Sequence, residues 1–249
     1  MRNCIAILLL TINICSLFGQ NKDADKLKKY VSYTEEGYES GGWSMKYVLN
    51  EKGFVTVEEN YLNKKLRSRF EYYYDEYNNQ NKRVKTFDPD DGVVNDEFDY
   101  ELVVDKKGRI IQKGSGNFKK IYSEFTDLGK LKLMVNKYSV GVDKHFYEYD
   151  SKGNVLKHTF NLSYIDPNDA INESTEVTQY RYDEFNNVIR LHRSNSLKWE
   201  YPIPVSGGPF QYEYEKFRYV YNRDGLWKKK FKTVEGKEYL IKKRKYTKR

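Results

Sequence analysis

The chain has 249 residues, 39% hydrophobic and 16% aromatic, with 44 Lys and Arg against 36 Asp and Glu for a formal net charge of +8. Of the hydrophobic residues 24 are Tyr and three are Ala, which excludes an Ala/Leu-rich helical protein, and a mean hydropathy of −0.88 excludes a polytopic membrane protein. Charged residues reach 32%, but disordered chains lack such an aromatic stock, and Tyr, Phe, Val and Ile fit a pleated, half-buried surface. The expectation is a folded, all-β protein.

At the N-terminus Arg2 gives a positive start, Ile5 to Leu10 an apolar stretch, and Ser16-Leu17-Phe18-Gly19 a small-residue end before a cut at Gln20. Residues 1–19 are therefore expected to be a secretory signal peptide. Cys4 to Phe18 spans 15 residues and is interrupted by Thr11, Asn13 and Ser16, short of the roughly 20 that cross a bilayer as a helix. Lipidation at Cys15 is the less favoured route, because Ile14 stands where a small residue is wanted. Both cysteines fall inside this segment, so the processed chain has no disulfide, thiolate zinc site or cysteine nucleophile. Residues 20–44 follow as a polar leader, and 45–249 as the main domain.

One short pattern recurs seven times within that domain: aromatic, any residue, aromatic, Asp, two polar residues, Gly or Asn, then an apolar residue. The clearest copies are Tyr147-Glu148-Tyr149-Asp150-Ser151-Lys152-Gly153-Asn154-Val155 and Tyr180-Arg181-Tyr182-Asp183-Glu184-Phe185-Asn186-Asn187-Val188. Others begin at Tyr72, Leu102 and Tyr219, with weaker copies at Lys46 and Ser123. Asp or Asn at the first corner hydrogen-bonds the backbone two residues on, and Gly or Asn at the fourth accepts positive φ. Each copy is thus a hairpin turn closed by a left-handed residue. The Gly or Asn corners lie at 53, 78, 108, 129, 153, 186 and 225, room for two strands of about eight residues and two connections in the shorter intervals. The prediction is a repeat-built antiparallel meander forming an extended, twisted and curved sheet, its tight turns along one edge. Whether the sheet stays open or curls on itself is left open.

The Tyr-x-Tyr-Asp-x-x-Gly/Asn core resembles the Rhs/YD-repeat family, over roughly residues 45 to 249. That resemblance implies β-hairpin repeats in an exported bacterial protein engaged in surface interaction or toxin carriage. Larger members close a shell around a toxin; seven copies are too few for that role, so a small envelope or secreted member is expected.

Chemistry is sparse. His145 and His158 flank one hairpin and can meet across it, but Tyr147, Tyr149 and Leu156 offer no carboxylate cluster beside them, and His192 is read as an exposed strand residue. No metal site and no cofactor is expected. Asp88-Pro89-Asp90-Asp91-Gly92 and Asp166-Pro167-Asn168-Asp169 are explained by turn chemistry rather than by Ca²⁺. No nucleophile elbow, phosphate loop or zinc-helix motif is present. The connections Asn161 to Glu176 and Glu200 to Pro209 are candidate binding loops.

Charge is more specific. From Lys216 to Arg249 the chain carries 14 Lys and Arg against three Asp and Glu. Trp227, Lys228, Lys229, Lys230, Tyr239, Lys242, Lys243, Arg244 and Lys245 are the candidate ligand-binding residues. An export signal makes nucleic acid an unsuitable partner and favours a glycan, lipopolysaccharide or an envelope protein. The same lysines also suit a terminal edge strand guarded against aggregation. The expected function is an exported, non-enzymatic binding module of the envelope or cell surface. Alternatives are a carbohydrate-active enzyme using carboxylates on the sheet and a structural or adhesive module.

Gly153→Val should lower the melting temperature more than Lys152→Ala, because only the former opposes a positive φ. Equal melting temperatures would refute the turn assignment.

Overall fold

The computed structural model describes residues 23–39, 41–115, 118–138, 141–165, 171–204 and 210–249. The expected signal peptide at 1–19, Cys15 within it, and the stretches at 166–170 and 205–209 lie outside the described residues.

In chain order the elements are α1 (Ala24–Leu27), β1 (Tyr30–Gly37), β2 (Trp43–Leu49), β3 (Val55–Leu62), β4 (Lys65–Tyr74), β5 (Gln80–Asp88), β6 (Gly92–Asp99), β7 (Glu101–Val104), β8 (Ile110–Ser115) and β9 (Phe118–Phe125). They continue with β10 (Leu131–Tyr138), β11 (Gly141–Tyr149), β12 (Val155–Ile165), β13 (Ile171–Tyr182), β14 (Val188–Asn195), β15 (Tyr214–Tyr221), β16 (Trp227–Val234) and β17 (Lys237–Lys248). The protein is all-β, an antiparallel meander in one 17-stranded sheet among the described residues. The interval 161–176, expected as a binding loop, is mostly the paired ends of β12 and β13.

The sheet curls until its ends meet. β1 lies between β2 and β17, with Tyr33 opposite both Tyr47 and Tyr246. An up-and-down sheet can close with antiparallel partners only if its strand number is even, and β6 and β7 supply the parity. They run on in one direction across Tyr100, whose N–H bonds the Asn81 carbonyl. The residues set apart as a leader therefore furnish the closing strand. Nor is β17 an edge, since it pairs along both sides, so edge protection does not account for its lysines. The free edge is instead β6, which among the described residues pairs only with β5 and carries Asp96, Glu97 and Asp99.

All seven predicted corners are turns of one kind. Residues 50, 75, 105, 126, 150, 183 and 222 each accept the backbone N–H three residues on and donate their own to the carbonyl four residues on. Positive φ falls on Gly53, Asn78, Gly108, Gly129, Gly153, Asn186 and Gly225. In the clearest copy Asp150 Oδ1 also accepts the N–H groups of Lys152 and Asn154, at 2.9 and 2.8 Å. The opposite end mixes long connections with tight hairpins: Asn63 and Lys64, and Glu235 and Gly236, take positive φ in pairs, as two-residue hairpin loops require.

Successive turns are joined by the tyrosines. Tyr149 Oη donates to the Leu131 carbonyl at 2.5 Å, Tyr182 to Val155 at 2.7 Å, Tyr74 to Val55 at 2.6 Å, Tyr219 to Val188 at 3.0 Å and Tyr246 to Trp227 at 2.9 Å. Each acceptor is the first strand residue after the preceding turn. Side chains complete the ring: Lys52 bonds Asn78, Asn79 the Gly108 carbonyl, Asn154 Asn186, Asn187 Tyr221, and Asn222 Tyr30. α1 lies against this end. Leu27 packs with Tyr30, Tyr33, Leu49 and Leu226, and a Cβ on Gly53 would stand 2.2 Å from the Ala24 carbonyl oxygen.

Alternation along the strands gives the closed sheet an inner face of Tyr, Glu35, Met134 and Asn136, all deeply buried. Its outer face carries cross-strand ion pairs such as Lys82–Glu97, Glu148–Lys157 and Arg218–Glu238.

Tyr182→Phe should cost about 1 kcal/mol in urea unfolding, because it deletes the donor to the Val155 carbonyl. Tyr73→Phe, whose hydroxyl meets Glu71 on the exposed face, should leave stability unchanged. Equal effects would show that the hydroxyls do not couple the repeats.

Candidate functional site

The closed sheet separates the nine candidate residues. Trp227, Lys230, Lys242 and Arg244 turn inward. Arg244 stacks 3.8 Å from the Trp227 ring centroid and 5.0 Å from Tyr33, and its Nε donates to Glu35 Oε2 at 2.8 Å. Lys242 Nζ meets the other Glu35 oxygen at 2.5 Å. Burial pushes the Glu35 carboxyl up, but the charges of Arg244 and Lys242 together outweigh it and hold the group below the ordinary carboxylate range. Lys230 lies over the Phe217 ring at 4.0 Å. These four are wall rather than free binding surface.

Lys228, Lys229, Lys243 and Lys245 are exposed, and among the described residues none of them makes an ion pair. Lys229 and Lys243 are register partners on β16 and β17. Glu36 stands opposite Lys243 and accepts a bond from Tyr38 at 3.3 Å. Beside this row an open groove is bounded by Tyr30, Asp224, Lys228, Lys243, Lys245 and Lys248. Tyr239 is also exposed.

The inner wall carries two further networks. Glu215 holds Arg193 at 2.6 Å and Lys232 at 3.4 Å. On β10 to β12, Asp143 accepts from Asn136 at 2.6 Å and from Tyr138 at 2.7 Å, and lies 3.0 Å from His145 Nε2. His145 Nδ1 is 2.9 Å from His158 Nε2. The histidines thus meet as their spacing allows, but with a carboxylate that the sequence reading missed. Its signal was the period-two run Asp143, His145, Tyr147 on one face of β11. An ionised Asp143 accepts a hydrogen bond from the His145 Nε2–H, leaving Nδ1 to accept from His158. Both His145 ring nitrogens are then engaged, so the cluster is a hydrogen-bonded relay and presents no convergent set of metal ligands; among the described residues no group of three or more such ligands is gathered. His192 lies on the outer face, stacked 4.3 Å from Tyr214. At Asp88 the side chain accepts the Asp90 N–H and pairs with Lys85, as a turn residue does.

Among solved structures the chain is similar to a porin-like protein from Bacteroides uniformis, with a TM-score of 0.49 and 12% identity over 88% of this chain and 98% of that one. It is also similar to part of a TcdB2–TccC3–Cdc42 complex, with a TM-score of 0.34 and 16% identity over 80% of this chain and 10% of that one. For the Tc holotoxin pore of Photorhabdus luminescens the TM-score is 0.29 and the identity 10%, over 80% of this chain and 14% of that one. No protein-family model and no curated protein matches the chain. Among the described residues no helix is long and apolar enough to cross a membrane.

Burial, and then the charge of His145, push His158 down to about 4. The unfolded chain therefore binds a proton near pH 6.5 that the folded chain refuses, and stability drains away as pH falls from about 6.5 towards 4. The urea midpoint should fall more steeply over that interval in the wild type than in His158→Phe. Parallel profiles would mean that His158 is protonated in the folded state.

Proposed function

We propose that the chain is an exported, non-enzymatic binding module built from YD-type repeats. Its outward lysine row takes an anionic component of the cell envelope, an acidic glycan or the phosphorylated core of lipopolysaccharide. The observation carrying this proposal is the sorting of the basic end by the sheet: cations facing inward at Lys242 and Arg244 are committed to Glu35, while those at Lys228, Lys229, Lys243 and Lys245 make no ion pair among the described residues. A row of exposed cations outside ion pairs raises the local concentration of polyanions and accelerates their capture. Because β17 is paired on both sides, the lysines are not needed to guard an edge.

The non-enzymatic half draws support from the inner carboxylates. Glycoside hydrolysis needs two carboxyls flanking an open cleft, whereas Glu35 and Glu215 are each held by two cations and Asp143 by Asn136, Tyr138 and His145.

Removing everything from Lys228 onward would delete β16 and β17 and with them the closure, so charge reversal is the usable test. A Lys229→Glu, Lys243→Glu, Lys245→Glu variant should bind lipopolysaccharide and acidic polysaccharide at least about tenfold more weakly than the wild type. The difference should shrink as salt rises. Unchanged binding at low salt, with both proteins folded, would remove the outward row as the site.

A further inference from the structure

A carboxylate on the inner wall is held differently from its counterparts. Glu35 and Glu215 are each met by two cations, Asp143 by Asn136, Tyr138 and His145, and Glu58 by Tyr72 and Asn60. Glu176 makes no hydrogen bond and no ion pair among the described residues. It shares the inner face of β13 with Thr178 and Tyr180, opposite Phe160 of β12 and Asn195 of β14, towards the end of the sheet away from the repeated turns. Burial pushes its carboxyl above the ordinary range, and the charge of Arg193 offsets this only in part.

The nearby cations leave Glu176 unmatched. Arg193 acts on it from a distance, while its guanidinium is held by Glu215 at 2.6 Å and by the Tyr212 carbonyl at 2.8 Å. His158, two residues from Phe160 on the same face of β12, is kept neutral by burial down to about pH 4. Lys198, on the turn after β14, is exposed and makes no ion pair among the described residues. The neighbouring stretches 166–170 and 205–209 contain no Lys, Arg or His. Tyr201, whose hydroxyl bonds Asn195, is the other titratable neighbour that feels the Glu176 charge.

A cavity of about 20 Å³ lies against this carboxylate, lined by Phe160, Leu162, Asn195, Leu197 and Trp199, with Glu176 as its only ionisable lining group. Asn195 Oδ1 accepts the Trp199 backbone N–H at 2.9 Å and so ties that residue to β14 beside Glu176. Phe160 is backed by the His145 ring at 5.0 Å. Size decides what fits. A space that holds little more than one water-sized group cannot enclose a sugar ring, but it admits an ammonium head. Leu197 and Trp199 are exposed at the mouth, where an aliphatic stem would lie on them, and an aromatic face attracts the cation itself.

We propose that Glu176, Trp199 and Phe160 form a site on the inner face for the ammonium head of an alkylamine, whose stem runs out over Leu197. Bound there, the ammonium donates to the carboxylate and supplies the charge that desolvation makes unfavourable to leave unpaired. A free amine and the side chain of a lysine on a partner polypeptide offer the same chemistry. The site faces away from the outward lysine row, takes a ligand of the opposite charge, and does not depend on that row.

The test is calorimetric titration of the folded chain with cadaverine and with Nα-acetyl-lysine methylamide, against n-pentanol and N-acetylglucosamine as neutral probes. The wild type should bind at least one of the two amines saturably and neither neutral probe. A preference for cadaverine assigns a free amine, and a preference for the lysine derivative assigns a protein side chain. Glu176→Gln should bind the preferred amine at least about tenfold more weakly, whereas Glu200→Gln, which removes an exposed carboxylate of the neighbouring loop, should bind it as the wild type does. Without ligand, Glu176→Gln should melt no lower than the wild type, because it removes a desolvated charge. The inference is overturned if neither amine binds, if n-pentanol or N-acetylglucosamine binds as tightly as the amines, or if the two variants bind alike. It is equally overturned if Glu176→Gln melts below the wild type, since the carboxylate would then be serving the fold.

Discussion

The fold depends on one hydrogen bond repeated around the ring, from a tyrosine hydroxyl to the carbonyl that opens the strand after the preceding turn. A two-stranded hairpin is marginal in water, so a chain of hairpins needs a device that ties each to the next. Here the Asp or Asn corner fixes the turn, the turn fixes where that carbonyl points, and the next tyrosine reaches it: Tyr149 to Leu131, then Tyr182 to Val155, then Tyr219 to Val188, then Tyr246 to Trp227. Phe would bury as much ring but would offer no donor. The preference for Tyr over Phe in the repeat thus has a physical cause beyond packing.

The degenerate copies mark where the device is missing. Before the corner at 105 stands Val104, and before the corner at 126 stands Phe125, so neither repeat can present a hydroxyl there. Substitutes appear instead: Asn79 bonds the Gly108 carbonyl, and Arg109 lies over the Phe125 ring at 4.3 Å. The shortest strands, β7 and β8, and the unpaired side of β6 fall in this same part of the sheet. The gap in the wall and the gaps in the sequence pattern coincide, as they should if the hydroxyl bonds are what drives strands to full-length pairing.

Every turn corner was legible because it rests on local chemistry, a side-chain oxygen reaching two to four residues ahead and a residue that tolerates positive φ. Closure was not. β1 lacks the turn motif, and its partner β17 is some two hundred residues away, as in the Tyr33 pairing with Tyr246; only the count of strands and the alternation of Tyr33 and Glu35 hint at it. The basic end hid its two faces for a related reason. A uniform alternation from Trp227 to Arg249 would assign the faces wrongly, because Lys228 on β16 and Ile241 on β17 are extra residues in the register. Each shifts the parity of everything beyond it.

Closure also changes what a charge means. On an open sheet both faces meet water and a lysine on either is unremarked; once the sheet closes, an inward cation must find a counter-charge or destabilise the fold. Glu35 and Glu215 answer that demand for Lys242, Arg244, Arg193 and Lys232. Replacing such groups by apolar ones of equal volume would commonly be neutral or stabilising, so charges inside the wall are not explained by stability alone. Where the counter-charge is present, as at Glu35, the pair fixes the register of β17 against β1.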